Sequence, residues 1–162
     1  MNTTLSAIRD KHPCSSGWNK LLKFLNKTEA DDEPLSFLTI LESNGIKDAI
    51  WCLRVLPDYD LKVMEFKLKS ARRVDHLDKS GKAKSCLDVV ESFIVGDATK
   101  GELCNAAAAA DAAYADAYAA AAAYAAYAAA ADTAVAYATY AAADTAVAER
   151  EYQTQIFKEI FG

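Results

Sequence analysis

Apolar positions recur three and four residues apart along nearly the whole chain, and no segment alternates apolar with polar over the length of a strand. That period predicts helices throughout. A short turn over Thr4–Asp10 ends before His12-Pro13. Ser15 or Ser16 then caps a helix carrying Trp18, Leu21, Leu22 and Leu25. Residues 27–34 form an acidic turn whose carboxylates come just before Pro34. Proline favours the first position of a helix, and anions there meet the positive end of its dipole. This predicted helix carries Leu35, Leu38 and Leu41, and Asn44-Gly45 ends it with a left-handed cap signal.

A further short helix follows over Ile46–Leu56, with Ile50, Trp51, Leu53 and Val55, and Pro57 ends it. Asp58 opens the next, from about Tyr59 to Leu77, with Leu61, Met64, Leu68 and Ala71 on one stripe and a break at Ser80-Gly81. A helix over Lys82–Val95 carries Cys86, Val89, Val90, Phe93 and Ile94 and stops at Gly96. Asp97 or Thr99 opens the last segment. Residues 1–97 thus read as a compact array of short helices. Residues 98–162 read as one or more long alanine-rich helices folded against it, the whole being one cooperative all-α unit.

The last segment is the most unusual part of the chain. Between Ala106 and Ala148 there are 28 alanines, and no Gly or Pro occurs from Glu102 to Phe161. Alanine has the strongest helix propensity because it loses no rotamer entropy and carries no competing polar group. One straight helix over Thr99–Phe161 would be about 95 Å long, far beyond the radius of gyration of about 15 Å expected of a compact chain this size. The octamer AAADTAVA occurs at 129–136 and again at 141–148, so Asp132 and Asp144 are the expected breaks. Tyr114, Tyr118, Tyr124, Tyr127, Tyr137 and Tyr140 drift round the helix, whereas a coiled coil keeps its large residues on one seam.

Charge changes the picture further. Residues 1–100 hold 16 Lys and Arg against 15 Asp and Glu; residues 101–162 hold two against eight, a net of −6. A nucleic-acid binder usually carries a basic stripe. The nearest approach here is Lys62, Lys67, Lys69, Arg72 and Arg73, interrupted by Glu65 and apolar residues, which reads as a solvated helix face. No direct nucleic-acid binding is expected.

Candidate chemistry is sparse. Cys14, Cys52, Cys86 and Cys104 lack the close pairing of a zinc or redox site and read as free thiols. His12 precedes a proline, and His76 lies between Asp75 and Asp78 near a helix end. There is no GxSxG, Gly-rich phosphate loop or HExxH. Asp31-Asp32-Glu33 lacks the spacing of a calcium loop. Neither an enzyme, a metal site nor a cofactor is expected. No signal-peptide pattern or membrane-length apolar run is present, so a cytoplasmic protein is the expectation.

Several elements resemble a known family: Gly17-Trp18 with Leu21, KTEADDEPL over 27–35, ILESNGI over 40–46, DAIWCLR over 48–54, ARRV over 71–74, and an alanine-rich C-terminal tract closed by Ile156–Phe161. Together they resemble the alanine-rich immunity proteins of bacteria and their phages. Those carry many Arg and Trp among the alanines, whereas this tract holds Tyr, Asp and Thr. The resemblance implies a protein that binds and neutralises a partner protein: a toxin, or a defence nuclease as an anti-CRISPR inhibitor would. The residues expected to meet it are the six tyrosines of the tract as apolar anchors, with Asp111, Asp116, Asp132 and Asp144 supplying charge complementarity. The competing expectation is a structural protein whose alanine helices assemble with copies of themselves, a homodimer being the simplest form.

Overall fold

The computed structural model describes residues 1–73, 82–114 and 143–162, with side chains described except at 82–83, 109–114 and 143–146. The fold is all-α. Among the described residues the helices are α1 (Leu5–Arg9), α2 (Ser15–Phe24), α3 (Phe37–Asn44), α4 (Ile46–Cys52), α5 (Leu61–Arg72), α6 (Lys82–Val95), α7 (Lys100–Tyr114) and α8 (Ala143–Phe161). One 3₁₀ turn, Leu53–Val55, follows α4.

One expectation fails at the start. Asn2–Thr3 (β1) and Leu35–Ser36 (β2) pair antiparallel, with Asn2 opposite Ser36 and Thr3 opposite Leu35. Residues 35 and 36 are therefore extended, and Pro34 does not open a helix. Ser36 caps α3 instead, its hydroxyl accepting from the Thr39 amide at 3.0 Å. The acidic turn has a different role from the one expected. Lys27 binds Asp31 and, at 2.6 Å, Glu33, while the Asp31 carbonyl accepts from the Ser6 amide at 3.0 Å. The cap of α2 also differs: Cys14 occupies it, and both Ser15 and Ser16 lie inside the helix.

Other boundaries follow local side-chain chemistry. Thr4 caps α1 by accepting from the Ala7 amide at 3.1 Å. Asp60, two residues past the expected Asp58, caps α5 by accepting from the amides of Lys62 and Val63 at 3.0 and 3.1 Å. Thr99 and Glu102 open α7 with a reciprocal capping box: Glu102 accepts from the Thr99 amide at 2.7 Å and Thr99 from the Glu102 amide at 3.2 Å. Gly45, at φ 88°, separates α3 from α4, and Gly96, at φ 89°, follows α6. Both conformations suit only a residue without a Cβ. The expected break at Ser80-Gly81 and the break at Asp132 lie outside the described residues. Asp144 lies within α8.

Packing divides the chain into two units, Met1–Pro57 with Phe157–Gly162, and Asp58–Ile156. That division differs from the boundary at residue 97 suggested by composition. In the first unit α2 packs on α3 and α3 on α4. Its buried residues include Leu5, Ile8, Leu21, Phe37, Ile40, Ala49, Phe157 and Phe161. The rings of Phe157 and Phe161 lie 4.6 Å apart, and Phe37 lies 5.8 Å from Phe161. Such aromatic pairs add about 0.5–1.5 kcal/mol each beyond the area they bury. The Met1 ammonium donates to the Phe161 carbonyl at 3.0 Å, a cation at the negative end of α8.

In the second unit α5, α6 and α7 pack in sequence order around Met64, Leu68, Ala71, Leu87, Val90 and Leu103, with Phe93 and Ile94 half-buried beside them. Arg72 on α5 reaches Asp88 at 2.6 Å and Glu91 at 2.8 Å on α6, which fixes the two helices in register.

Candidate interaction surface

The alanine-rich tract was expected to carry the binding residues, and the described residues give its two flanks. At the N-terminal flank, the capping box fixes the start of α7, and one side chain then anchors it. From Lys100 to Ala108, Leu103 alone is fully buried, while Cys104 and Asn105 face solvent and Ala106 and Ala107 are half-buried. By its backbone α7 includes Asp111 and Tyr114, and α8 includes Asp144; the side chains of these three residues lie outside those described. Tyr118, Tyr124, Tyr127, Tyr137, Tyr140, Asp116 and Asp132 lie wholly outside the described residues.

The C-terminal flank is built differently. Glu149 and Gln153, one helical turn apart on α8, are buried at 5% and 1% exposure. Arg73, at the end of α5, donates from Nε to Glu149 Oε2 at 3.2 Å, and Gln153 Nε2 donates to Glu149 Oε1 at 3.4 Å. The Arg73 guanidinium also lies 4.7 Å over the Tyr152 ring. Glu149 and Gln153 do not stand out in the sequence. The only available signal was their spacing of four and then three residues to Ile156, which puts all three on one helix face.

The cations of the supposed basic stripe are largely committed within the second unit. Lys69 pairs with Glu65 at 2.9 Å, Arg72 with two carboxylates of α6, and Arg73 with Glu149. Lys67 is pushed down to about 8 because burial disfavours its charge. An apolar feature not anticipated from the sequence sits nearby. Tyr59 and Leu61 are 40% and 50% exposed, the Tyr59 ring lies 6.4 Å from that of Phe93, and the Lys100 ammonium lies 4.1 Å over it.

The residues that carry the family resemblance include tight structural contacts. Asn44 Nδ2 donates to the Gly17 carbonyl at 2.9 Å and to Asp48 Oδ2 at 2.8 Å, and the Ser43 hydroxyl donates to Asn44 Oδ1 at 2.6 Å. A Cβ on Gly17 would stand 2.9 Å from Asp48 Oδ2. These contacts bolt the start of α2 to the junction of α3 and α4.

The potentially reactive groups are scattered. All four cysteines are free, Cys52 and Cys86 buried and Cys14 and Cys104 exposed. Burial pushes the Cys52 thiol up to about 12 and raises that of Cys86. Hydrogen bonds from Ser16 and the Gly17 backbone lower Cys14. His12 is exposed at φ 56°, and His76 lies outside the described residues. Among the described residues, no three His, Cys, Asp or Glu side chains cluster as metal ligands. Among them, too, no helix is long and apolar enough to cross a membrane. No protein-family model matches the chain, and neither a curated protein nor a solved structure matches it.

Proposed function

We propose that this protein is a non-enzymatic, cytoplasmic inhibitor that binds a partner protein stoichiometrically through its alanine-rich tract. The observation that carries the reading is the composition of residues 101–162: a net charge of −6 on a helix-forming segment with tyrosine as its principal large side chain. Tyrosine contributes large, stiff, amphipathic area at interfaces. An excess of carboxylates complements a partner whose surface is basic, as the phosphate-binding channel of a nuclease is. The internal pairing of Arg72 and Arg73 agrees with a protein whose own surface does not seek phosphates. The partner class is a toxin or a defence nuclease, the second placing the protein among anti-CRISPR inhibitors; the resemblance to the alanine-rich immunity proteins points the same way.

The test begins with tagged protein as bait in lysate of the natural host, followed by titration of the purified captured protein's own activity. The expected result is an inhibition end point at a fixed molar ratio. Replacing Asp111, Asp116, Asp132 and Asp144 together by Asn should weaken binding and flatten its dependence on salt. Capture of nothing but further copies of this chain, with a mass that grows with concentration in light scattering, would overturn the inhibitor reading in favour of self-assembly.

A further inference from the structure

The buried stripe of α8 changes chemistry partway along the helix. From Phe157 onward it is aromatic and aliphatic: Phe157, Ile160 and Phe161, all within the first unit. Ahead of Ile156, within the second unit, its fully buried positions are Glu149 and Gln153. Val147 is 57% exposed, so among the described side chains ahead of Ile156 no apolar one is fully buried. The buried face of that stretch is held by directed contacts that meet at the Arg73–Glu149 pair: Arg73 to Glu149, Arg73 over Tyr152, and Gln153 to Glu149.

We propose that this N-terminal stretch of α8 is a releasable strap, closed by a latch of Arg73, Glu149 and Gln153, and that Phe157–Phe161 stay seated when the latch opens. Two energetic facts support it. A buried ion pair adds little net stability over an apolar pair of the same shape, because desolvation offsets most of the Coulomb attraction. The Arg73 side chain is 47% exposed, so ions in solution reach it and screen the pair. The aromatic end has neither weakness: Phe157 and Phe161 are fully buried and pack on Phe37. Local opening follows the weakest contacts of a segment, so the polar stretch opens below the energy that frees the aromatic one. This inference does not depend on what the protein binds.

Hydrogen exchange on the full chain, followed by mass spectrometry or NMR, tests it. Raising salt from about 0.05 M to about 0.5 M, a change that shortens the screening length severalfold, should speed exchange at the amides of residues 149–153 several-fold. Those of residues 158–161 should not change. Arg73→Gln leaves Glu149 buried without its cation and should speed the first group about tenfold or more, again sparing the second. Replacing the latch by Arg73→Met with Glu149→Leu should abolish the salt response; if that variant fails to fold, the salt series on the unaltered chain decides alone. One exchange rate across both groups with a common response, or a first group indifferent to both salt and Arg73→Gln, overturns the strap.

Discussion

Leu103 is the single fully buried side chain among the described ones of α7, so the attachment of the alanine-rich segment at that end should be measurable by one truncation. It is 6% exposed and sits in the core formed with Met64, Leu68, Ala71, Leu87 and Val90. Leu103→Ala removes three carbons, a transfer loss of about 2.4 kcal/mol at about 0.8 kcal/mol per methylene. A residual void of about 50 Å³ adds about 1 kcal/mol at about 24 cal/mol per Å³. Alanine's better helix propensity returns only a few tenths. The expected cost is thus about 3 kcal/mol. With a guanidinium slope of about 4 kcal/mol/M, the midpoint should fall by about 0.8 M, followed by circular dichroism. Val147→Ala, at a 57% exposed position, serves as the control and should stay within about 0.5 kcal/mol. A loss below about 1 kcal/mol for Leu103→Ala would mean that α7 is not held through this side chain, and the account of the N-terminal flank would fail.

Gly17→Ala should destabilise by about 1 kcal/mol, because the new methyl meets the Asp48 carboxylate at 2.9 Å; in an Asp48→Ala background the sign should reverse, since glycine inside a helix costs about 1 kcal/mol against alanine. An unfolding double-mutant cycle reads both. The Lys27 ammonium, donating a hydrogen bond to Asp31, holds that carboxyl below its usual 3.8, and Lys27 itself lies above 10.5. The contact's stabilisation is therefore present above 3.8 and lost as pH falls through the lower folded value of Asp31; it is also lost where pH rises through the raised value of Lys27. An NMR titration of Lys27→Met should return Asp31 to the ordinary range. Lys67 behaves oppositely: its folded value of about 8 lies below the usual 10.5, so the unfolded chain holds more protons between those values. Stability from this group should rise with pH from about 8 to 10.5, and Lys67→Met should remove that rise in unfolding curves taken at several pH values.

Most helix boundaries that depend on neighbours in sequence were legible to within a residue or two. α6 ends at Val95 before Gly96 as expected, and α3 ends at Asn44 before Gly45, because a glycine at positive φ is a local decision, although Gly45 is extended at ψ 175° and not a left-handed cap. α5 starts at Leu61 because the nearer Asp60 supplies the cap. The larger failures were mostly non-local. Pro34-Leu35 has every mark of a helix start, yet Leu35–Ser36 extend because Asn2–Thr3, more than thirty residues away, pair with them. Glu149 and Gln153 look like solvated positions of a charged helix; the cation that makes their burial tolerable is 76 residues distant. The acidic loop misled through charge, its carboxylates turning back to Lys27 rather than forward to a helix dipole. The tyrosines and aspartates expected to meet a partner rest on composition and propensity, as their side chains lie outside those described.

The membership of Phe157–Gly162 in the first unit has a consequence for synthesis. Residues 1–57 leave the ribosome before Phe157, Ile160 and Phe161, so the core they share stays unfinished until that segment emerges. At about 5–20 residues per second, the intervening hundred residues take about 5–20 s. Throughout that interval Phe37, which ends fully buried against two late rings, lacks both of them. The nascent chain therefore presents the apolar surface of residues 1–57 to chaperones until Phe157–Phe161 arrive, and a truncation that removes that segment would damage a core begun about a hundred residues earlier.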